Sequence, residues 1–143
     1  MDKALNYLSI ARKAGLAELG EEPVAAAARD LHAALVLVAG DASDHTWRRA
    51  KSLVAGTNQL CLRLKYSKDE MGMAIGRTSL AIAAITDPAL ALSLVEALPE
   101  AHEAETAALQ ERVRRLRQRS SEKKAHLRNK RMGRTKAAAK KNG

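Results

Sequence analysis

The sequence predicts an α/β sandwich with a small central sheet, and three observations carry that expectation. Residues 34–39, Ala-Leu-Val-Leu-Val-Ala, are apolar and rich in β-branched side chains, as in a strand buried on both faces. Residues 59–64 read as a second strand, and 80–86 as a third, buried one. Helical patterns separate these runs at the pitch of alternating α/β units. A chain of 143 residues is one ordinary domain with room for a tail.

The elements follow in order. Residues 2–13 read as a helix, with Leu5, Leu8 and Ala11 on one face, and Gly15 ends it. Residues 16–19 form a short extended piece, and Gly20 opens a second helix. Pro23 fits that helix only in its first turn, where its missing N–H does no harm. The run VAAAARDL continues it. After the strand at 34–39, Asp41 or Ser43 caps a helix through Trp47, Ala50 and Val54 to Gly56. After the strand at 59–64, Ser67-Lys-Asp-Glu70 is a capping box for a helix over 69–75, closed by Gly76. The third strand, 80–86, leads to Asp87-Pro88, an N-cap with proline at the first helical position, and a helix to about residue 98. No internal repeat is visible.

Charge divides the chain in two. The formal net charge is +9, yet residues 111–143 hold 14 Lys or Arg against two acids, a net +12, which leaves −3 for residues 1–110. The apolar pattern stops near Pro99, so the expected partition is a folded domain over 1–99 and a basic tail over 100–143. In the tail, Glu100, Glu103 and Glu105 precede the arginines, which suits a helix dipole. Leu109, Val113 and Leu116 share a stripe, and Glu111 stands one turn before Arg115. A helix is expected over 101–119, extending at most to about 132. Beyond Ser120 there is little to bury, and disorder until binding is expected.

Several functional classes are excluded by composition. One cysteine, Cys61, rules out a disulfide framework and fits a reducing, cytoplasmic compartment. The N-terminal segment has the wrong pattern for a signal peptide, and the run at 79–86 is far too short to cross a bilayer. With only Tyr7, Trp47 and Tyr66 as aromatics, a sheet platform that stacks several bases cannot be built. His32, His45, His102 and His126 match no metal-ligand spacing, so no metal or other cofactor is expected. Asp41-Ala-Ser-Asp44 reads as helix capping rather than an acid–base pair, and Cys61 as an inert buried thiol. No phosphate-binding glycine loop or nucleophile motif is present, and no enzymatic activity is expected. Three element ends could offer backbone N–H groups to phosphates: Gly20-Glu-Glu, Tyr66-Ser-Lys68 and Gly76-Arg-Thr78, although ordinary surface capping explains each as well.

Taken together, ALNYLSIARKAG, LGEEPV, ALVLVAGDASDHT, SKDEMGMAIGR and LAIAAITDPALA resemble the bacterial YlxQ-type ribosomal-protein-like group. That group is the bacterial branch of the ribosomal L-seven-Ae superfamily of kink-turn RNA-binding proteins. The resemblance implies a three-layer α-β-α sandwich around a small mixed four-stranded sheet, here with a basic C-terminal tail. It implies a monomer that binds structured, kink-turn-like or ribosomal RNA, in company with the ribosome or translation proteins. In the superfamily, the helix after the first strand enters the bent RNA and reads sheared G·A pairs, and a loop before the last strand packs on a flipped-out nucleotide. Carried over, the first element is Gly20, Glu21, Glu22 and Arg29. The second is Arg77, Thr78 and Ser79, beside Ser67 and Lys68.

The chain also departs from the pattern. The RNA-reading Asn-Glu or Lys-Gln pair falls on Glu22 and Pro23, a following Lys on Ala26, and a Gly after that helix on Leu31. Lysines before the second strand become His32 and Ala34. Carboxylates facing a phosphate-dense bend are repelled, so affinity is expected from the tail: Arg112, Arg115 and Arg119 on one face, then Lys123, Lys124, Arg128, Lys130 and Arg131. Six such phosphate contacts on a duplex would give log K a slope near about −5 against log salt. Two readings stand. One is an RNA-binding module with electrostatic help from the tail. The other is a protein-interaction module with a decayed RNA site and a tail that binds nucleic acid non-specifically. Membrane-surface binding by the basic helix is weaker, because its apolar stripe is narrow and lacks Trp and Phe.

Overall fold

The computed structural model describes the backbone of residues 2–142 and the side chains up to residue 130. Six helices and four strands alternate: α1 (Lys3–Lys13), β1 (Ala17–Leu19), α2 (Glu21–Arg29), β2 (Leu35–Val38), α3 (Asp44–Val54), β3 (Leu60–Arg63), α4 (Lys68–Ala74), β4 (Ile82–Ile85), α5 (Pro88–Ala97) and α6 (Glu103–Asn142). The strands form one mixed sheet in the order β1-β4-β2-β3. β4 pairs antiparallel with both β1 and β2, and β3 runs parallel to β2. α1, α4 and α5 pack together on one face, and α2 and α3 on the other. The expected three-layer α-β-α sandwich is present.

Burial follows from the strand sequences. Every residue of β2 and β4 is buried, which explains why both read as continuous apolar runs rather than alternating ones. Leu8, Val24, Leu35, Leu37, Met71, Ile75, Ile85 and Leu94 form the fully buried centre of the core. Leu109, at the start of α6, joins the same core.

Local chemistry sets the helix starts. Asp2 caps α1 by accepting the Ala4 N–H, and Asp87 caps α5 by accepting that of Leu90. Ser43, of the two candidates, caps α3 through the Thr46 N–H. The Ser67–Glu70 capping box forms as expected, with α4 starting one residue earlier. α2 stops at Arg29, short of the expected Leu31. There the His32 N–H donates to Ala27 O and the Leu31 N–H to Ala28 O, the paired bonds of a Schellman ending. Buried Gln59 then ties this turn down, with Nε2 donating to Ala28 O and Oε1 accepting the Ala33 N–H.

Two boundaries differ from expectation. The chain divides into compact units after Gln110, not after Pro99, because Leu109 is committed to the first unit's core. The backbone of α6 remains helical to Asn142, past both Arg119 and residue 132. Residues 120–142 contain no Pro and one Gly among Lys, Arg and Ala, so intrinsic helix propensity substitutes for burial. Among the described residues, no helix is long and apolar enough to cross a membrane.

Candidate nucleic-acid interface

Sheet register gathers two of the expected elements at one end of the first unit. Leu19 lies opposite Ala83, and the Gly20 N–H donates to Ile82 O at 3.0 Å. The start of α2 and the loop preceding β4 are therefore neighbours. The ends of β2 and β3 reach the same end, since Val38 pairs with Ile82 and with Arg63. Gly20, Glu21, Glu22, Arg77, Thr78 and Ser79 thus share this end with Asp41, Ser67 and Lys68. Arg29 does not belong to it. It is exposed at the far end of α2, about 12 Å along the axis from Glu21.

Gly20 is required where β1 turns into α2, because its φ of +94° is one that L side chains rarely adopt. No side chain caps α2, so its first-turn N–H groups keep their outward direction, with Glu21 and Glu22 in that turn. Glu21 pairs with Arg49 of α3 at 3.5 Å, with both side chains just under half exposed. Glu22 is exposed and makes no ion pair among the described residues.

The second element is held by close backbone approach. A Cβ on Gly72 would lie 2.6 Å from the Ser79 nitrogen and 2.9 Å from the Arg77 oxygen. The loop packs directly on α4, and the Arg77 N–H and Leu80 N–H donate to Gly72 O and Lys68 O. Arg77, Thr78 and Ser79 are exposed, and the Arg77 and Lys68 side chains form no ion pair among the described residues.

Most of the backbone N–H groups at the start of α4 are already taken by side chains. The Lys68 N–H is taken by Asp41 Oδ1 at 2.8 Å, that of Glu70 by Ser67 Oγ, and that of Ser67 by Glu70 Oε1. Asp41, one of the two sequence candidates for the α3 cap, instead accepts the first N–H of α4 from the end of the adjacent strand β2. This role was missed because a cap 27 residues away leaves no local signature. Arg63, another residue the sequence reading passed over, braces the loop after β2 by donating to Ala42 O at 2.8 Å, and it lies 3.8 Å from Asp44.

The aromatics offer no stacking platform. Lys51 covers the Trp47 ring at 5.3 Å, Tyr7 packs against the core, and the Tyr66 hydroxyl donates to Asp2 at 2.6 Å. That hydrogen bond holds the Asp2 carboxyl below its usual range, while burial and Asp2 raise the Tyr66 hydroxyl. Burial pushes the Cys61 thiol up to about 12, so it carries no thiolate near neutrality.

The tail cations occupy α6. Glu111 accepts hydrogen bonds from Arg114 at 2.7 Å and from Arg115 at 3.0 Å, and these hold its carboxyl down to about 2. Arg115, grouped by sequence with Arg112 and Arg119, is therefore tied to an acid. Burial lowers the Arg112 guanidinium below its usual range. Arg119, Lys123, Lys124, Arg128 and Lys130 are exposed and form no ion pair among the described residues. The Arg131 side chain lies outside the described residues.

No family model matches the chain, and no curated protein matches it in sequence. Solved structures do share its fold. A protein of unknown function from Bacillus halodurans C superposes with a TM-score of 0.65 at 23% identity, over 70% of this chain and 100% of that one. A Giardia lamblia 15.5kD RNA binding protein superposes with a TM-score of 0.57 at 18% identity, over 75% of this chain and 87% of that one.

Proposed function

We propose that this protein binds structured RNA in the manner of the ribosomal L-seven-Ae superfamily, as a YlxQ-type member, without catalytic activity. The observation that carries the reading is the basic C-terminal segment, with 14 cations against two acids after residue 110. Such a density of positive charge suits a polyanion. The shared fold of the Giardia RNA binding protein supports RNA as that polyanion. The first unit would engage RNA shape through the α2 start and the Arg77–Thr78–Ser79 loop, and the second would supply affinity. Kink-turn or ribosomal RNA, a monomeric state and a cytoplasmic setting with translation proteins belong to the same proposal.

A second reading has its own support. The carboxylates of Glu21, Glu22 and Asp41 stand where phosphate would approach, and Asp41 already occupies the start of α4. That arrangement favours a protein-interaction module whose RNA face has decayed. Fluorescence anisotropy of the full chain and of residues 1–110, on kink-turn RNA, single-stranded RNA and duplex DNA, separates the two. The first reading expects the full chain to favour the kink-turn, and residues 1–110 to keep that preference at roughly hundredfold weaker affinity. Loss of any kink-turn preference in both forms would sink it in favour of the second.

A further inference from the structure

Helix α6 is two-faced between residues 111 and 130. At 100° per residue, Arg119, Lys123 and Lys130 fall within about 40° of one another. Arg117, Lys124 and Arg128 form a second row about 140° around the helix. Between the rows run Leu116, Ser120 and Leu127, and both leucines are close to half exposed, at 44% and 48%. The opposite face satisfies itself. Glu111 accepts from Arg114, Arg114 donates to Gln118 at 3.3 Å, and Gln118 donates to Glu122 at 3.2 Å. Both acids of the basic segment lie in this ladder, away from the stripe between the rows.

We propose that α6 binds a double-stranded segment of the RNA lengthwise, one row of cations on the phosphates of each strand and the leucine stripe facing the groove between them. This rests on the RNA-binding reading and adds the form of the RNA and the register of the helix. The charge pattern selects this occupant over others. A single strand presents one line of phosphates, and its exposed bases stack on aromatic side chains, but α6 has no Tyr, Trp or Phe. A second copy of α6 would bring two double rows of like charge together along a stripe of isolated leucines. An anionic bilayer would need a wider apolar face with aromatic anchors. Two lines of phosphates flanking a groove match two cation rows on either side of an apolar stripe.

The test alters phase and keeps charge. Inserting two alanines after Ser121 turns Lys123, Lys124, Arg128 and Lys130 by about 200° against Arg117 and Arg119. Inserting four turns them by about 40°, close to the original register. Full-length proteins, checked for helix content by circular dichroism, are titrated by anisotropy against an RNA hairpin with a long stem, a uridine strand and phosphatidylserine vesicles. The two-alanine insertion should weaken hairpin binding roughly tenfold and make its salt slope shallower by about 2 to 3, while the four-alanine insertion stays within about twofold of the unaltered protein. Uridine-strand binding should be weaker than hairpin binding throughout and indifferent to phase. Equal hairpin binding by all three proteins, equal weakening by both insertions, or a preference for the uridine strand or the vesicles would overturn this proposal while leaving the proposed function to its own test. Failure of the unaltered protein to bind any RNA would remove both.

Discussion

Leu31 shows how one side chain can sit against its backbone. It has a φ of +60°, in the left-handed region, and it is 57% exposed, so little packing compensates for the strain. The conformation is imposed by the Schellman ending of α2, where glycine is the usual occupant. Left-handed backbone costs an L residue about 1 to 2 kcal/mol, and glycine recovers this less the extra chain entropy it loses on folding. Leu31→Gly should therefore raise stability by about 0.5 kcal/mol and the thermal midpoint by about 2 to 4 °C. A lower midpoint by calorimetry would contradict the strain argument. The residue-scale surprises share one physical cause. Asp41 reaches α4 and Gln59 reaches α2 only after the sheet has formed, so neither role leaves a pattern in the neighbouring sequence.

Among the elements, those with local signals were the legible ones. Ser67–Glu70 and Asp87-Pro88 cap helices through bonds spanning three residues, and the sequence shows them directly. β1 is three residues long and half-buried, and only its pairing with distant β4 makes it a strand. In α6, propensity carried the helix past the point where burial ends. Its first turns in the basic segment depend on an ion pair, and this gives a pH signature. The Glu111 carboxyl, held down to about 2 by Arg114 and then Arg115, contributes helix stability that is fully present above its ordinary value of 4.5. That contribution is lost as the pH falls through about 2. A peptide of residues 111–130 should lose helicity by circular dichroism across that window, and the Glu111→Gln peptide should lose less. Identical acid profiles for the two peptides would show that the pair does not support the helix.

At the scale of the whole molecule, charge and structure divide at the same residue. The seam after Gln110 separates a unit of net −3 from one of net +12. The charge step was visible in the sequence, but its coincidence with the structural seam was not, since Leu109 joins the core only through tertiary packing. The candidate site was less legible than the fold. Element ends and the family resemblance pointed to the α2 start and the loop before β4, and sheet register places them at one end, yet Arg29 lies remote and Asp41 takes the Lys68 N–H at the α4 start. Salt should act on the two units unequally. The full chain should show a log–log slope near about −5 for duplex RNA, and residues 1–110 a slope shallower than about −1, by anisotropy across a range of potassium chloride. Matching slopes would mean that the first unit, despite its negative charge, makes the phosphate contacts.

The seam has a further consequence for the chain in a cell or a gel. Arg114 and Arg115, both exposed, lie four and five residues beyond it, so a trypsin-like protease meets accessible sites near the start of the basic run. One cleavage after Arg114 would leave a body of net −2 from a protein of net +9. Near neutral pH the parent would migrate to the cathode and the clipped product to the anode.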